Sequence, residues 1–275
     1  MAITAADVSK LRKKTGAGMM DCKKALTEAE GDFDKAVEVI RKKGQAVASK
    51  RADRDATEGV VLARVSEDGK NGALVVLNCE TDFVAKNESF VDLTSSILDV
   101  ALKNLPADLD ALKELELNGS KISDLVVEQV GVIGEKIELS FYGKISAEFV
   151  VAYIHPGNKL ATLVGFNKSG FDVQVAKDVA MQVAAMNPVA VSRDAVPADV
   201  KEKELEIGKE MARNEGKPEQ ILEKIAQGRL NKFFKENVLL EQAFVKDNKV
   251  TIDQYLKGVD KDLTVTEFIR FSLSN

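Results

Sequence analysis

Between residues 4 and 43 apolar side chains recur at helical spacing and predict three short helices. Thr4 is placed to cap the first, with Asp7 in its first turn and Val8 and Leu11 facing inward. Thr15-Gly16-Ala17-Gly18 breaks the pattern, and Met19, Cys22, Leu26 and Ala29 then form a second stripe. Gly31-Asp32 restarts the chain, Phe33, Ala36, Val37 and Ile40 form the third stripe, and Gly44 is expected to close it. Residues 45–57 are polar, charged and poor in large apolar groups, and read as a linker.

From Gly59 the period changes. Val60–Val65 and Ala73–Leu77 are β-rich runs flanking Glu67-Asp68-Gly69-Lys70-Asn71-Gly72, a hairpin signal. One helix is expected from about Phe83 to Asn104, burying Phe90, Leu93, Ile97 and Ala101, and another at about 122–134. Ile137, Leu139 and Phe141 alternate as a half-buried strand does. Phe149–Ile154 and Lys159–Phe166 then make a second hairpin around His155-Pro156-Gly157-Asn158, followed by a helix at about 172–186 that stops before Pro188. Val61-Leu62-Ala63 against Val150-Val151-Ala152 is a weak internal match, and hairpin-then-helix occurs twice. Residues 201–236 carry no strand signal. Gly216-Lys217-Pro218 divides them into two helices, with Ile207 and Met211 before the break and Ile221, Leu222, Ile225, Leu230 and Phe233 after it. The narrow stripe fits either a projecting coiled coil or two ordinary surface helices. Leu239–Val245, a short helix at about 251–257 and the strand-like Glu267–Phe271 complete the chain.

The fold class expected is therefore α+β: a three-helix N-terminal module, a duplicated core with antiparallel sheets, and an inserted helical hairpin. The boundaries predicted are 1–54 for the module and linker, 55–145 for the first core subdomain, 146–200 with 237–275 for the second, and 201–236 for the insert.

Composition narrows the chemistry. The 275 residues include one histidine, His155, two cysteines, Cys22 and Cys79, and no tryptophan. Too few ligands exist for a zinc site, and a histidine triad would rest on a single residue. Cys22 and Cys79 read as reduced core residues. No apolar run is long enough for a membrane-spanning helix, and Met1–Asp7 lacks a signal-peptide pattern, so a cytoplasmic location is expected. The net charge of −5 argues against general nucleic-acid binding. Residues 1–55 hold 13 Lys+Arg and 9 Asp+Glu, or +4, which leaves −9 for the rest. A basic head suits docking on an acidic protein surface, and solvated helix faces explain it equally well. No phosphate-binding glycine loop of the Gly-x-x-x-x-Gly-Lys-Ser/Thr type is present.

Two segments remain: Leu11-Arg12-Lys13-Lys14-Thr15-Gly16-Ala17-Gly18-Met19-Met20-Asp21-Cys22-Lys23-Lys24-Ala25-Leu26, and Asn78-Cys79-Glu80-Thr81-Asp82-Phe83-Val84-Ala85-Lys86-Asn87. By spacing alone, Thr81 or Asp82 caps a helix and Phe83, seven residues before Phe90, belongs to the core. Both segments closely resemble the signature segments of the elongation factor Ts family, exchange factors for the GTPase elongation factor Tu. Tyr153-Ile154-His155, Ala184–Pro188, Leu239–Gln242 and Phe268–Phe271 extend the resemblance over nearly the whole chain. The N-terminal helices resemble a ubiquitin-associated (UBA-like) module.

The resemblance implies that Thr81, Asp82, Phe83 and Val84 form an exposed tip that pushes into the GTPase and dislodges its Mg²⁺. It implies partner contacts at Arg12, Met19, Met20 and Lys23, whose plain alternatives are solvated cations and a core methionine stripe, and a third patch at Leu160, Ala161 and Gln182. Val76 stands where the family usually has an acidic residue, Gln182 where many members have histidine, and Leu160-Ala161 where they have Ile-Gly. The longer C-terminal helix of some members is not expected. The resemblance implies no cofactor, no catalytic residue and no nucleic-acid or membrane partner, and homodimerisation stays open. His155 reads as a turn residue. A partner-holding adaptor is the second candidate function, and an enzyme the third.

Overall fold

In the computed structural model, which describes residues 3–274, Thr4 caps helix α1 (Ala5–Thr15). Its hydroxyl accepts from the Asp7 amide at 3.2 Å, and the Asp7 carboxylate accepts from the Thr4 amide at 3.0 Å, a reciprocal capping box. Helix α2 (Met19–Glu28) follows, then α3 (Phe33–Arg51), started by the Asp32 carboxylate accepting from the Asp34 and Lys35 amides, each at 3.1 Å. The three enclose a small core of Val8, Leu11, Cys22, Leu26 and Ala36.

Strands β1 (Glu58–Val65) and β2 (Asn71–Cys79) form the first hairpin. After a one-turn helix α4 (Asp82–Ala85) come α5 (Glu88–Asn104), α6 (Leu109–Glu114), the two-residue strands β3 (Glu116–Leu117) and β4 (Ser120–Lys121), and α7 (Ile122–Ile133). Strand β5 (Glu138–Ser146) returns to pair antiparallel with β2, so the sheet order is β1-β2-β5. The second half repeats this scheme. Strands β6 (Phe149–Ile154) and β7 (Leu160–Phe166) form a hairpin, and α8 (Val173–Met186) packs on their outer face. Two long antiparallel helices intervene, α9 (Ala198–Asn214) and α10 (Glu219–Asn237). Strands β8 (Ala243–Phe244) and β9 (Asp247–Thr251) and helix α11 (Ile252–Val259) follow, and β10 (Val265–Ser272) returns beside β7. Both halves thus run hairpin, outer helix, return strand, with every pairing within the two sheets antiparallel.

The two sheets lie face to face. Val61, Ala63, Leu74 and Val76 of the first meet Val150, Ala161 and Leu163 of the second. The opposite faces are covered by helices: Val60, Leu62, Val75 and Leu77 by α5 and α7, and Val151, Val164 and Phe166 by α8. A strand buried on both faces must be apolar at successive positions, which is why 60–63 and 73–77 read as continuous runs rather than alternations. No helix among the described residues is long and apolar enough to cross a membrane.

Several expectations need correction. Gly44 does not close α3, and residues 45–51 are not linker but its last turns. Gly44 is buried where α3 crosses α7. A Cβ on Gly131 would sit 2.5 Å from the Gly44 Cα and one on Gly44 would sit 3.3 Å from the Val127 carbonyl oxygen, so the crossing excludes a side chain at 131 and leaves little room for one at 44. Val47 and Ala48 then pack on the first core, while Arg41 pairs with Glu128 and donates to Ser120 Oγ at 2.9 Å. The single helix expected over 83–104 is two, α4 and α5. Helix α6 and the β3–β4 pair were not anticipated at all. The readings that fall on Met1, Ala2 and Asn275 lie outside the described residues.

Candidate functional site

Strand β2 ends in the first core at Cys79, and the chain turns at Glu80. Thr81 is extended (φ −124°, ψ 153°) and its hydroxyl accepts from the Val84 amide at 3.5 Å, capping α4. Side chains of successive helical residues diverge by about 100°, so a single turn sorts its residues sharply. Ala85 is buried, Val84 leans on the first core, and Phe83 points away from both with 82% of its surface exposed. The chain then restarts: Asn87 Oδ1 accepts from the Ser89 amide at 3.0 Å and opens α5. Because Phe83 and Phe90 belong to different helices, the seven-residue spacing does not place them on one face. Phe90 is in the core at 2% exposure and Phe83 is not.

The tip is braced from behind. Helix α7 closes on Gly134, whose left-handed φ of 80° turns the chain towards the tip and delivers Glu135. The Glu135 carboxylate accepts three hydrogen bonds: from the Glu80 amide at 3.1 Å, the Thr81 amide at 3.0 Å and the Thr81 hydroxyl at 2.6 Å. Beneath them the Cys79 thiol donates to the Thr81 carbonyl at 3.1 Å. Burial, reinforced by the nearby Glu135 charge, pushes that thiol up to about 12, so it stays protonated as a donor.

Glu80 anchors a second set of contacts. It accepts from the Lys136 amide at 2.6 Å, from Arg51 at 2.7 Å and from Arg54 at 3.0 Å. Burial pushes its carboxyl up, but the Lys136 amide and the two guanidiniums outweigh this and hold it down at about 2. Lys136 Nζ in turn donates to the Ala52 and Arg54 carbonyls, both at 2.9 Å. The end of α3 and the root of the tip are therefore one connected polar cluster. On the outer side, Lys86 donates to Asp82 at 2.6 Å, which holds the Asp82 carboxyl below the usual carboxylate range.

The N-terminal candidates Arg12, Met19, Met20 and Lys23 are all exposed, Met20 at 65%. Arg12 lies in the last turn of α1 and the other three in the first turns of α2, on either side of the Gly16–Gly18 break. An open groove of about 520 Å³ between α2 and α3, lined by Asp21, Lys24, Glu28, Val39 and Ile40, holds mixed charges and no histidine. The third patch is corrected in two of its three members. Gln182 has no exposed surface: its amide donates to Gln242 Oε1 at 3.2 Å and to the Ala243 carbonyl at 3.1 Å, and its carbonyl accepts from the Val245 amide at 2.9 Å. Ala161 is sealed between the sheets. Only Leu160 reaches the surface, half-buried. His155 sits exposed in the β6–β7 turn, 2.9 Å from the Tyr153 hydroxyl.

Sequence reasoning missed Glu135, Arg51, Arg54 and Lys136. Glu135 lies 54 residues from Thr81, beyond any local spacing rule, and the two arginines sat in the segment read as linker. Among the described residues no group of three or more His, Cys, Asp or Glu is arranged to hold a metal ion.

The site is thus an exposed ring on a braced turn, joined to a basic helical module, and not a pocket of converging titratable groups. Comparison with known proteins supplies the class. The family model described as elongation factor TS matches residues 80–275. An elongation factor Ts of Amoebophilus asiaticus is 57% identical over 272 residues, covering 98% of each chain. That of Azobacteroides pseudotrichonymphae is 54% identical over 276 residues, covering 100% of this chain and 99% of its own, and that of Porphyromonas gingivalis is 54% identical over 275 residues, with the same coverage. The chain belongs to the elongation factor Ts family; it is a translation elongation factor and not a catalyst of bond chemistry.

Proposed function

We propose that this chain is a nucleotide exchange factor that binds elongation factor Tu in its GDP state and speeds GDP release by displacing Mg²⁺, after which GTP reloads. The observation that carries this reading is the Thr81–Val84 turn, with Phe83 at 82% exposure on a support of fixed hydrogen bonds. Phe83 enters between helices of the partner. Asp82, held by Lys86, orients the approach, while Arg12, Met19, Met20 and Lys23 supply a second contact and the surface around Leu160 a third.

The magnitudes suffice. A phenylalanine ring buries roughly 200 Å², worth about 4 kcal/mol at ~25 cal/mol per Å² when most of it leaves water. Where the ring can be buried only in the nucleotide-free complex, that energy becomes coupling and corresponds to roughly a thousandfold change in nucleotide affinity. In P-loop GTPases Mg²⁺ bridges the phosphates to a P-loop hydroxyl, so a ring that shifts those groups leaves phosphate charge undercompensated. Linkage requires that bound nucleotide weaken the grip of this protein by the same factor, which lets GTP complete the cycle.

Mg²⁺ displacement has its own signature. The fold-acceleration of GDP release should be large at millimolar Mg²⁺ and shrink when chelator has already stripped the metal. An acceleration factor unchanged by Mg²⁺ removal would refute the displacement route.

A further inference from the structure

We infer that Glu135 is a positioning residue for exchange: by gathering the Glu80 and Thr81 amides and the Thr81 hydroxyl on one carboxylate, it fixes the direction in which Phe83 projects. This rests on the exchange-factor reading above and extends it to a residue outside the Thr81–Val84 tip.

The geometry leaves few alternatives for what holds the tip. Helix α4 is four residues long and has too few internal hydrogen bonds to stand alone. Phe83 touches no core, so packing of its own ring does not orient it. What remains is the anchoring of Val84 and Ala85 and the polar contacts at the root. Of those contacts, three end on Glu135. The Thr81 hydroxyl donates to Glu135 and at the same time accepts from the Val84 amide. Glu135 therefore selects the Thr81 rotamer that caps α4. A carboxylate suits this place because it can accept all three donors at once, whereas a carboxamide presents one accepting oxygen and an NH₂ that faces another donor. Glu135 itself comes from the end of α7, which crosses α3 at Gly44 and Gly131. The tip is thereby referenced to the same helix pair that seats the N-terminal module.

A wedge that points wrongly still allows the protein to bind through its other contacts but fails to shift the metal site. The expected phenotype is therefore a lower maximal GDP-release rate at saturating exchange factor, with the half-saturating concentration changed much less. Misplacement by about 1 Å can cost on the order of 100-fold in rate, so a fall of roughly tenfold or more is expected for Glu135→Ala, with Glu135→Gln intermediate.

The test uses the full chain with elongation factor Tu·GDP and compares wild type, Glu135→Ala, Glu135→Gln, Phe83→Ala and the double variant Glu135→Ala/Phe83→Ala. Amide hydrogen exchange at Glu80, Thr81 and Val84 is read on the same samples without partner. Glu135→Ala should speed exchange at these amides, keep the rest of the chain protected and lower the maximal rate. The double variant should be no slower than Phe83→Ala, because a ring that is absent cannot be misdirected. Unchanged amide exchange, or a wild-type maximal rate for Glu135→Ala alongside an inactive Phe83→Ala, overturns the positioning role and leaves the wedge intact. If Phe83→Ala is itself fully active, the wedge is what fails.

Discussion

At the scale of single residues, burial separates two phenylalanines that spacing could not. Phe83 and Phe90 stand seven apart and would share a face on one continuous helix. Asn87 starts a second helix between them, and a break of that kind is set by a side-chain cap, not by the apolar pattern. Truncation should therefore have opposite consequences. Phe90→Ala empties a packed core position and should destabilise by about 3–5 kcal/mol, whereas Phe83→Ala at an exposed site should stay within about 0.5 kcal/mol of wild type in urea unfolding. Glu80 supplies a pH test. Its carboxyl lies at about 2 against an ordinary 4.5. A depressed folded-state value contributes stability that is fully present above the ordinary value and is lost as pH falls towards the folded one. The melting-temperature gap between wild type and Glu80→Gln should thus be widest above pH 4.5 and narrow steadily as the pH approaches 2. A gap of constant width would show that the Arg51–Arg54–Lys136 cluster does not hold the charge.

At the scale of elements, caps and hairpins were legible because their signals are local: Thr4 with Asp7, the turn at residues 67–72, and the break at Gly216–Pro218 each act within a few residues. The long third helix was not. Gly44 looks like a terminator when seen alone, and its role depends on Gly131 of a different helix, which no local rule connects to it. The same distance hid Glu135 behind the tip. Gly131→Ala puts a methyl 2.5 Å from the Gly44 backbone, so α3 must lift off α7. Overpacking of this kind costs typically about 1–3 kcal/mol and should weaken binding through the N-terminal module. Gly228→Ala is the control. It lies exposed within α10 with nothing near its added Cβ, and should stabilise by roughly 0.5–1 kcal/mol. Chemical denaturation of the two variants measures both signs, and equal effects would deny the close crossing.

For the whole molecule, the weak match of Val61–Ala63 to Val150–Ala152 pointed to a real regularity. Two sheets of the same strand order lie face to face, each covered outside by helices. Their stacking also explains why the second-half contact patch was misjudged. Ala161 lies in the interface between sheets and Gln182 beneath the Ala243–Val245 segment, and burial of either depends on tertiary layers invisible to a linear pattern. From these layers the Phe83 ring of the Thr81–Val84 turn projects, and the turn is joined through Glu80, Arg51 and Arg54 to the end of the N-terminal module. The central claim is that this turn releases nucleotide from another molecule, and stopped-flow release of labelled GDP from elongation factor Tu tests it most directly. Substoichiometric wild-type chain should empty the whole GDP pool at an accelerated rate while Phe83→Ala, equally folded, leaves release near its spontaneous speed. Release at that spontaneous speed with the wild-type chain, or undiminished acceleration by Phe83→Ala, would contradict the account.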